Sequence, residues 1–227
     1  MTAARRAPRG RAALLAAVVA AWAGAAGLAA PAAAAPKKPA SQPAPKGAPS
    51  VADLLARVEQ ARAGTETLVA DFTQRKRLSL FKDELTSKGS LKFKRPNRLR
   101  WEYVAPEKSV ILFDGARVTV RAPGAPPEVY DLAKQPGMQA VFDRILVWLG
   151  RGSLADAAKD YDVKVVGPAA LRLTPKGSLA KHLIDVEMRF DAAWQLAYVQ
   201  VREKSGDQTQ ITFTNLRRNV KLDDAVF

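Results

Sequence analysis

Residues 89–115 read GSLKFKRPNRLRWEYVAPEKSVILFDG, and large apolar side chains alternate with polar or charged ones through most of this segment. A period of two indicates β-strands with one apolar and one charged face. Pro96 and Pro106 mark strand ends, because proline cannot donate a hydrogen bond to a neighbouring strand. Asp114-Gly115 is a typical hairpin turn. The segment therefore predicts three antiparallel strands that share one apolar face.

The same alternation recurs along the chain and predicts eleven strands in all. They cover residues 68–77, 86–94, 98–103, 109–113, 117–121, 128–132, 161–166, 170–174, 182–191, 196–204 and 208–216. Apolar residues three and four apart, together with capping residues, predict helices at 51–63 and 136–149 and a short helix at 153–159. So many strands with so few helices indicate a mainly β (α+β) fold, built on one strongly curled antiparallel sheet. A small closed barrel would fill its own interior, whereas a wider or unclosed one would hold a cavity unless a helix plugged it.

Part of the opening segment resembles the LolA family of periplasmic outer-membrane lipoprotein carriers. The resemblance rests on residues 94–101 (KRPNRLRW), Pro106 and residues 109–115 (SVILFDG), and it extends loosely from about Val51 to the C-terminus. It implies an unclosed half-barrel of about eleven strands, with a helical lid over a hydrophobic cavity. It also implies a monomeric carrier, formed by residues 51–227, that takes acylated lipoproteins from an inner-membrane lipoprotein-releasing transporter to an outer-membrane receptor.

The apolar faces of the strands and helices supply the residues that such a cavity and lid would need. The expected cavity residues are Leu91, Phe93, Leu99, Trp101, Val118, Val120, Ile184, Val186, Met188, Ile211 and Phe213. The expected lid residues are Leu54, Leu55, Val58, Phe142, Ile145, Leu146 and Leu149. An ordinary core position is the alternative for Trp101.

One arginine has an expected role that comes from the resemblance. In the LolA family, the arginine of the Arg-Pro motif donates hydrogen bonds to backbone groups of the lid and holds it closed. Arg95 occupies that position here. A guanidinium suits the role, because it offers five donors to carbonyls that lack partners at a helix or loop end. The alternative is a surface arginine that merely ends a strand.

The N-terminal residues predict export to the periplasm. Four arginines at positions 5, 6, 9 and 11 precede an alanine-rich apolar run and A-x-A sites, which together indicate a cleaved secretory signal peptide over residues 1–34. An uncleaved membrane anchor is the alternative, since the apolar run approaches the length of a span. Residues 35–50 are rich in Pro, Ala and Lys and predict an extended linker.

Composition narrows the classes of partner. The chain has 36 Lys and Arg against 22 Asp and Glu, a net charge of +14, and seven of the cations but none of the acids precede Val51. The surplus of seven that remains favours anionic partners, although it could serve solubility alone. Export argues against nucleic acid. The chain has no cysteine, so an exported domain must rely on its core rather than on disulfides.

The sequence offers no constellation of catalytic residues, and we expect neither an enzyme nor a cofactor. His182 is the single histidine and has no nucleophile or paired carboxylates in its sequence surroundings. With one histidine and no cysteine, no site of soft metal ligands can be assembled. Three readings remain: a lipid or acyl-chain carrier, a lipid-sensing or scaffold domain of the same fold, and, least supported, an enzyme acting on envelope lipids.

Overall fold

The computed structural model describes residues 49–80 and 83–227. The predicted signal peptide, and the predicted linker up to residue 48, lie outside the described residues. Within these ranges, no helix is both long enough and apolar enough to cross a membrane.

The described residues form a single eleven-stranded sheet, as the strand pattern predicted. Its strands are β1 (Thr67–Arg77), β2 (Glu84–Lys94), β3 (Arg98–Ala105), β4 (Ser109–Phe113), β5 (Arg117–Arg121), β6 (Glu128–Asp131), β7 (Tyr161–Gly167), β8 (Ala170–Pro175), β9 (Leu183–Phe190), β10 (Leu196–Glu203) and β11 (Gln208–Arg218). The spatial order is β6-β5-β4-β3-β2-β1-β11-β10-β9-β8-β7, and each strand is antiparallel to its neighbours. Since β6 and β7 stand at opposite edges, the sheet is unclosed. The predicted fold class is therefore confirmed.

The alternation in the opening segment separates the two faces of the sheet. Leu91, Trp101, Ile111 and Val120 are successive cross-strand partners from β2 to β5, and each is at most 7% exposed. The charged residues between them point to the opposite, convex face. The inward residues belong to one continuous hydrophobic core, which the helices complete.

Three α-helices cover the concave face or border it: α1 (Val51–Arg62), α2 (Pro136–Leu149) and α3 (Leu154–Ala157). A capping box starts α1, because Ser50 and Asp53 each accept a hydrogen bond from the other's backbone N–H. In α2, proline occupies the first position, where no N–H partner is needed. Gly150 ends α2 at a φ of 129°, a backbone conformation that favours glycine.

A bulge at the start of β9 corrects one predicted cavity residue. Arg202 of β10 pairs with Asp185, but the next residue, Glu203, pairs with Leu183, so Ile184 is an extra residue in the ladder. Leu183 is therefore buried on the inner face, and Ile184 is 41% exposed on the outside. The prediction that Ile184 faces inward was wrong. A bulge shifts which residues face the core, and unbroken alternation cannot foresee that shift.

Residues 219–227 cross the convex face of β2 and β3. Lys94 Nζ forms a salt bridge of 2.5 Å with Asp224, and Arg98 forms another of 3.3 Å with the same carboxylate. Arg100 donates a hydrogen bond to the carbonyl oxygen of Val226 at 3.2 Å. The outward cations of the opening segment thus hold the C-terminal residues against the sheet.

Candidate functional site

A small cavity lies where α1 and the end of α2 meet the concave face. Its volume is about 50 Å³, room for about one or two water molecules. Its lining is mainly apolar and comprises Val58, Ala61, Arg62, Thr65, Leu68, Ala70, Leu91, Trp148, Leu149, Phe190, Trp194, Gln195, Leu196, Phe213, Leu216 and Arg218. This cavity marks the interface between the helices and the sheet.

Two of the predicted cavity residues, Leu91 and Phe213, line this cavity directly. Most of the others are buried on the concave face but lie in the packed core rather than at the cavity wall: Phe93, Leu99, Trp101, Val118, Val120, Val186, Met188 and Ile211. Ring contacts continue from the wall into this core, because Phe213 lies 6.2 Å from Trp101 between ring centroids. Trp101 in turn lies 4.6 Å from Phe72.

The predicted lid residues lie on the apolar sides of α1 and α2. Leu54, Val58, Phe142, Ile145, Leu146 and Leu149 are buried, whereas Leu55 is only partly buried. The ring of Phe142 stacks on that of Phe113 in β4, with 4.9 Å between centroids and 9° between planes. Complete burial of a large apolar side chain contributes about 1.5 to 3 kcal/mol. The α2 stripe is therefore a substantial source of attraction to the sheet.

Arg95 lies where it can contact both helix ends. Its Nε donates a hydrogen bond of 2.5 Å to the carbonyl oxygen of Thr65, in the turn that follows α1. Its Nη2 is packed against Gly150, where an added Cβ would lie 3.6 Å away. The side chain thus spans from the end of β2 to the ends of α1 and α2. The resemblance implied such backbone contacts for a latch, and the latch role itself remains a prediction.

A second arginine, which the sequence did not single out, joins the helices. Arg62, the last residue of α1, donates hydrogen bonds to the carbonyl oxygens of Val147 and Gly152. Its guanidinium also pairs with Glu59 at 2.8 Å. A basic residue in the last turn of a helix is a recognisable signal, because it suits the negative end of the helix dipole. That signal gives no indication that the partners lie 85 to 90 residues away.

Glu59 completes this contact between the helices. Its Oε1 accepts a hydrogen bond of 2.5 Å from the N–H of Leu154, at the start of α3. Burial alone would raise the pKa of the Glu59 carboxyl, but the hydrogen bonds from Arg62 and Leu154 and the charge of Arg62 outweigh burial and lower it. The carboxylate form is thus the one that the surrounding residues stabilise.

Two tryptophans missed by strand alternation also line the cavity. Trp148 comes from α2, and Trp194 comes from the β9–β10 turn, where it adopts a φ of 60°. Asp191 fixes this turn by accepting hydrogen bonds from the N–H groups of Ala193 and Gln195, both at 2.9 Å. The guanidinium of Arg57 lies 5.1 Å from the centroid of the Trp194 ring, a cation–π contact between α1 and the turn.

The described residues contain no group of three or more His, Cys, Asp or Glu that could hold a metal ion. His182 lies beside the short helix at residues 177–181, and its backbone N–H donates to the carbonyl oxygen of Leu179 at 3.0 Å. The arrangement around the cavity therefore consists of apolar surface, aromatic rings and arginines that bind backbone carbonyls.

Comparison with known proteins places the chain in a family. The model of the outer membrane lipoprotein carrier protein LolA matches residues 63–227. The chain belongs to the LolA family. Two similar proteins are each named outer-membrane lipoprotein carrier protein. The one from Dechloromonas aromatica is 26% identical, and the alignment covers 72% of this chain and 76% of that protein. The one from Methylococcus capsulatus is 28% identical, and the alignment covers 71% of this chain and 76% of that protein. Proteins of the LolA family are periplasmic carriers.

The solved structures that align with this chain are more distant in sequence. A LolA superfamily protein from Nitrosomonas europaea aligns over 79% of this chain and 98% of its own, with 12% identity and a TM-score of 0.42. The complex of MucA and MucB from Pseudomonas aeruginosa aligns over 77% of this chain and 59% of the matched chain, with 14% identity and a TM-score of 0.42. The family assignment therefore rests on the sequence match.

Proposed function

We propose that this LolA family protein is a monomeric periplasmic carrier that holds the acyl chains of lipoproteins between its helices and the concave face of its sheet. It receives them from an inner-membrane lipoprotein-releasing transporter and passes them to an outer-membrane receptor. The observation that carries the proposal is the position of α1 and α2, whose apolar stripes lie on the concave face beside a cavity. Family membership supports the class of cargo.

The cavity volume indicates how cargo enters. Pockets that enclose a drug-sized ligand have volumes of about 300 to 1,000 Å³, whereas this cavity has about 50 Å³. An acyl chain therefore has to displace the helices from the sheet. Phe142, Ile145 and Leu146 occupy the surface that the chain would cover, so helix and cargo compete for the same apolar surface.

This competition makes release possible. A permanently open apolar groove would bind acyl chains strongly, and handover to a receptor would be slow. When cargo leaves, the lid helices bury their apolar side chains against the sheet again. The free energy of that burial offsets part of the free energy lost with the cargo contacts. Ligand affinity is then set by the difference between the lid-on and lid-off states, to which Arg95 and Arg62 contribute through their backbone hydrogen bonds.

A release assay tests the proposal. Membranes that contain an acylated lipoprotein and the matching inner-membrane transporter are incubated with ATP and the purified protein, and the soluble fraction is examined for lipoprotein. We expect release that depends on both ATP and the protein, and a complex whose mass in native mass spectrometry equals one carrier plus one lipoprotein. Lipoprotein that stays in the membrane under all these conditions would contradict the proposal.

A further inference from the structure

A band of polar side chains crosses the otherwise apolar concave face of the sheet. It comprises Gln74, Trp101, Tyr103, Ser109 and Thr209, each at most 4% exposed. Tyr103 and Ser109 are cross-strand partners in β3 and β4. Thr209 of β11 pairs with Lys76, two residues from Gln74 in β1, and is therefore a diagonal neighbour of Gln74. We call these five residues the polar band.

A hydrogen bond between Tyr103 and Gln74 lies at the centre of the polar band, beside Gly89. The Tyr103 hydroxyl donates a hydrogen bond of 3.0 Å to Gln74 Oε1, although β2 lies between their strands. Gly89 of β2 pairs with both Tyr103 and Phe72, and a Cβ there would lie 2.5 Å from Cζ of Phe72. The missing side chain leaves room for the Phe72 ring, which lies edge-on to the Tyr103 ring with 5.3 Å between centroids.

Two hydroxyls of the polar band, those of Ser109 and Thr209, have no hydrogen-bond partner among the described residues. The indole N–H of Trp101 instead interacts with the Tyr103 hydroxyl: burial raises the pKa of that hydroxyl overall, and the indole N–H lowers it in part. Buried polar groups are nearly always paired, because a buried group without a partner has lost its water and gained nothing in return. Each of the two hydroxyls carries one donor. The polar band therefore offers hydrogen bonds to a ligand that supplies acceptors.

The polar band adjoins the cavity described above. The Trp101 ring is 6.2 Å from that of Phe213, which lines the cavity, and Trp101 is the cross-strand partner of Leu91, another lining residue. On the other side, Thr209 pairs with the buried Val201, so apolar surface continues beyond the polar band. A chain that displaces the helices and passes Phe213 reaches Trp101 first.

We propose that the polar band binds the carbonyl oxygens of the ester or amide bonds that attach acyl chains to the cargo. The inference rests on the proposed function and adds a chemical specificity to it. A hydrocarbon alone would leave both hydroxyl donors unpaired, whereas a carbonyl oxygen is an acceptor that brings no donor of its own. The neighbouring apolar rows hold the chains themselves. The site therefore distinguishes acyl chains from alkyl chains of the same length.

Two matched probes test this specificity. The purified protein is titrated with a fluorescent dipalmitoylglyceryl-cysteine peptide, whose chains are ester-linked, and with its counterpart carrying ether-linked hexadecyl chains. We expect the ester probe to bind about five- to tenfold more tightly, the effect of one or two additional hydrogen bonds. In the double variant Ser109→Ala/Thr209→Val, the ratio of the two dissociation constants should fall to about twofold or less.

A control on the same strand separates the polar band from general effects. Thr212 lies on the exposed face of β11, so Thr212→Val should keep the wild-type ratio. Because the double variant could fold poorly, Thr209→Val and Ser109→Ala are also measured singly, and each should lower the ratio by about twofold. Equal affinities of the wild type for the two probes would overturn the polar-band proposal and leave the carrier function intact. Failure to bind either probe would contradict the carrier function itself.

Discussion

Glu59 and Arg62, one turn apart in α1, form a salt bridge of 2.8 Å whose two partners also bind the segment at the end of α2. Arg62 donates to the carbonyl oxygens of Val147 and Gly152, and Glu59 accepts from the N–H of Leu154. We call this pair the helix clamp. Since it joins α1, α2 and α3 to one another, it holds the three helices in the closed arrangement that covers the sheet.

Removal of the cation from the helix clamp should loosen the lid. Arg62→Met keeps the length and apolar stem of the side chain but leaves two carbonyl oxygens and the Glu59 carboxylate without their partner. We expect the free energy of unfolding to fall by about 1 to 3 kcal/mol and the affinity for an acyl probe to rise. Chemical denaturation and probe titration measure the two effects. Arg117→Met removes an exposed arginine of β5 and should change neither. Equal dissociation constants of wild type and Arg62→Met for the probe would show that the helix clamp does not hold the lid closed.

Arg95→Leu should act in the same direction through the other side of the lid. The variant loses the hydrogen bond to the carbonyl oxygen of Thr65 and the packing against Gly150. We expect a closed state weaker by about 1 to 3 kcal/mol, a correspondingly lower dissociation constant and slower transfer to a receptor. Titration and a transfer assay check these outcomes, with circular dichroism to show that folding is intact. An unchanged dissociation constant would leave Arg95 as a surface residue that ends a strand.

The sequence predicted the sheet well because its signals are local. In β2 and β3, each inward Leu91 or Trp101 is flanked by charged or polar neighbours, so period and face follow directly from the residues. The register of β9 could not be predicted in this way, because the bulge at Ile184 depends on how β9 pairs with β10. Arg62 was missed for a related reason. Its role depends on carbonyls that the fold brings to it, whereas the role of Arg95 was predicted only because its motif resembles that of a family.

The stacked pair of Phe142 and Phe113 allows the apolar competition to be measured. Phe142→Ala removes the ring from the core and should lower the free energy of unfolding by about 3 to 5 kcal/mol. A weaker lid should raise affinity for an acyl probe, unless Phe142 itself touches the bound chain, which would oppose the gain. Gln139→Ala, on the polar side of α2, is the matched control. Fluorescence titration reports affinity, and a large loss of stability with weaker binding would show that Phe142 belongs to the binding surface.

Glu59 gives the helix clamp a predictable pH dependence. The folded state lowers the pKa of this carboxyl below its ordinary value of 4.5, because Arg62 and the Leu154 N–H favour the charged form despite burial. A lowered folded-state pKa contributes stability that is present above the unfolded value and is lost as the pH falls through the folded value.

The stability difference between wild type and Glu59→Gln should therefore be largest at neutral pH and shrink below about pH 4.5. Urea denaturation at several pH values measures it. A difference independent of pH would mean that charge at Glu59 does not matter.

Glu203 lies on the inner face of β10, and its effect on stability should depend on pH in the opposite way to that of Glu59. This carboxyl is 5% exposed, and its Oε1 finds no hydrogen-bond partner among the described residues. Burial raises its pKa, and the nearby Asp207 adds to the effect, whereas Lys76 lowers it only in part. A raised folded-state pKa means that charging the group destabilises the fold, with a penalty that is absent below the unfolded value and grows as the pH rises toward the folded value. Glu203→Gln removes the charge while keeping the shape, so it should stabilise the protein at pH 7 and have little effect near pH 4.

The measurement is the same denaturation series used for Glu59, and the two variants should deviate from wild type in opposite directions at neutral pH. Destabilisation by Glu203→Gln at pH 7 would show instead that the carboxylate is held by Lys76 as a buried ion pair.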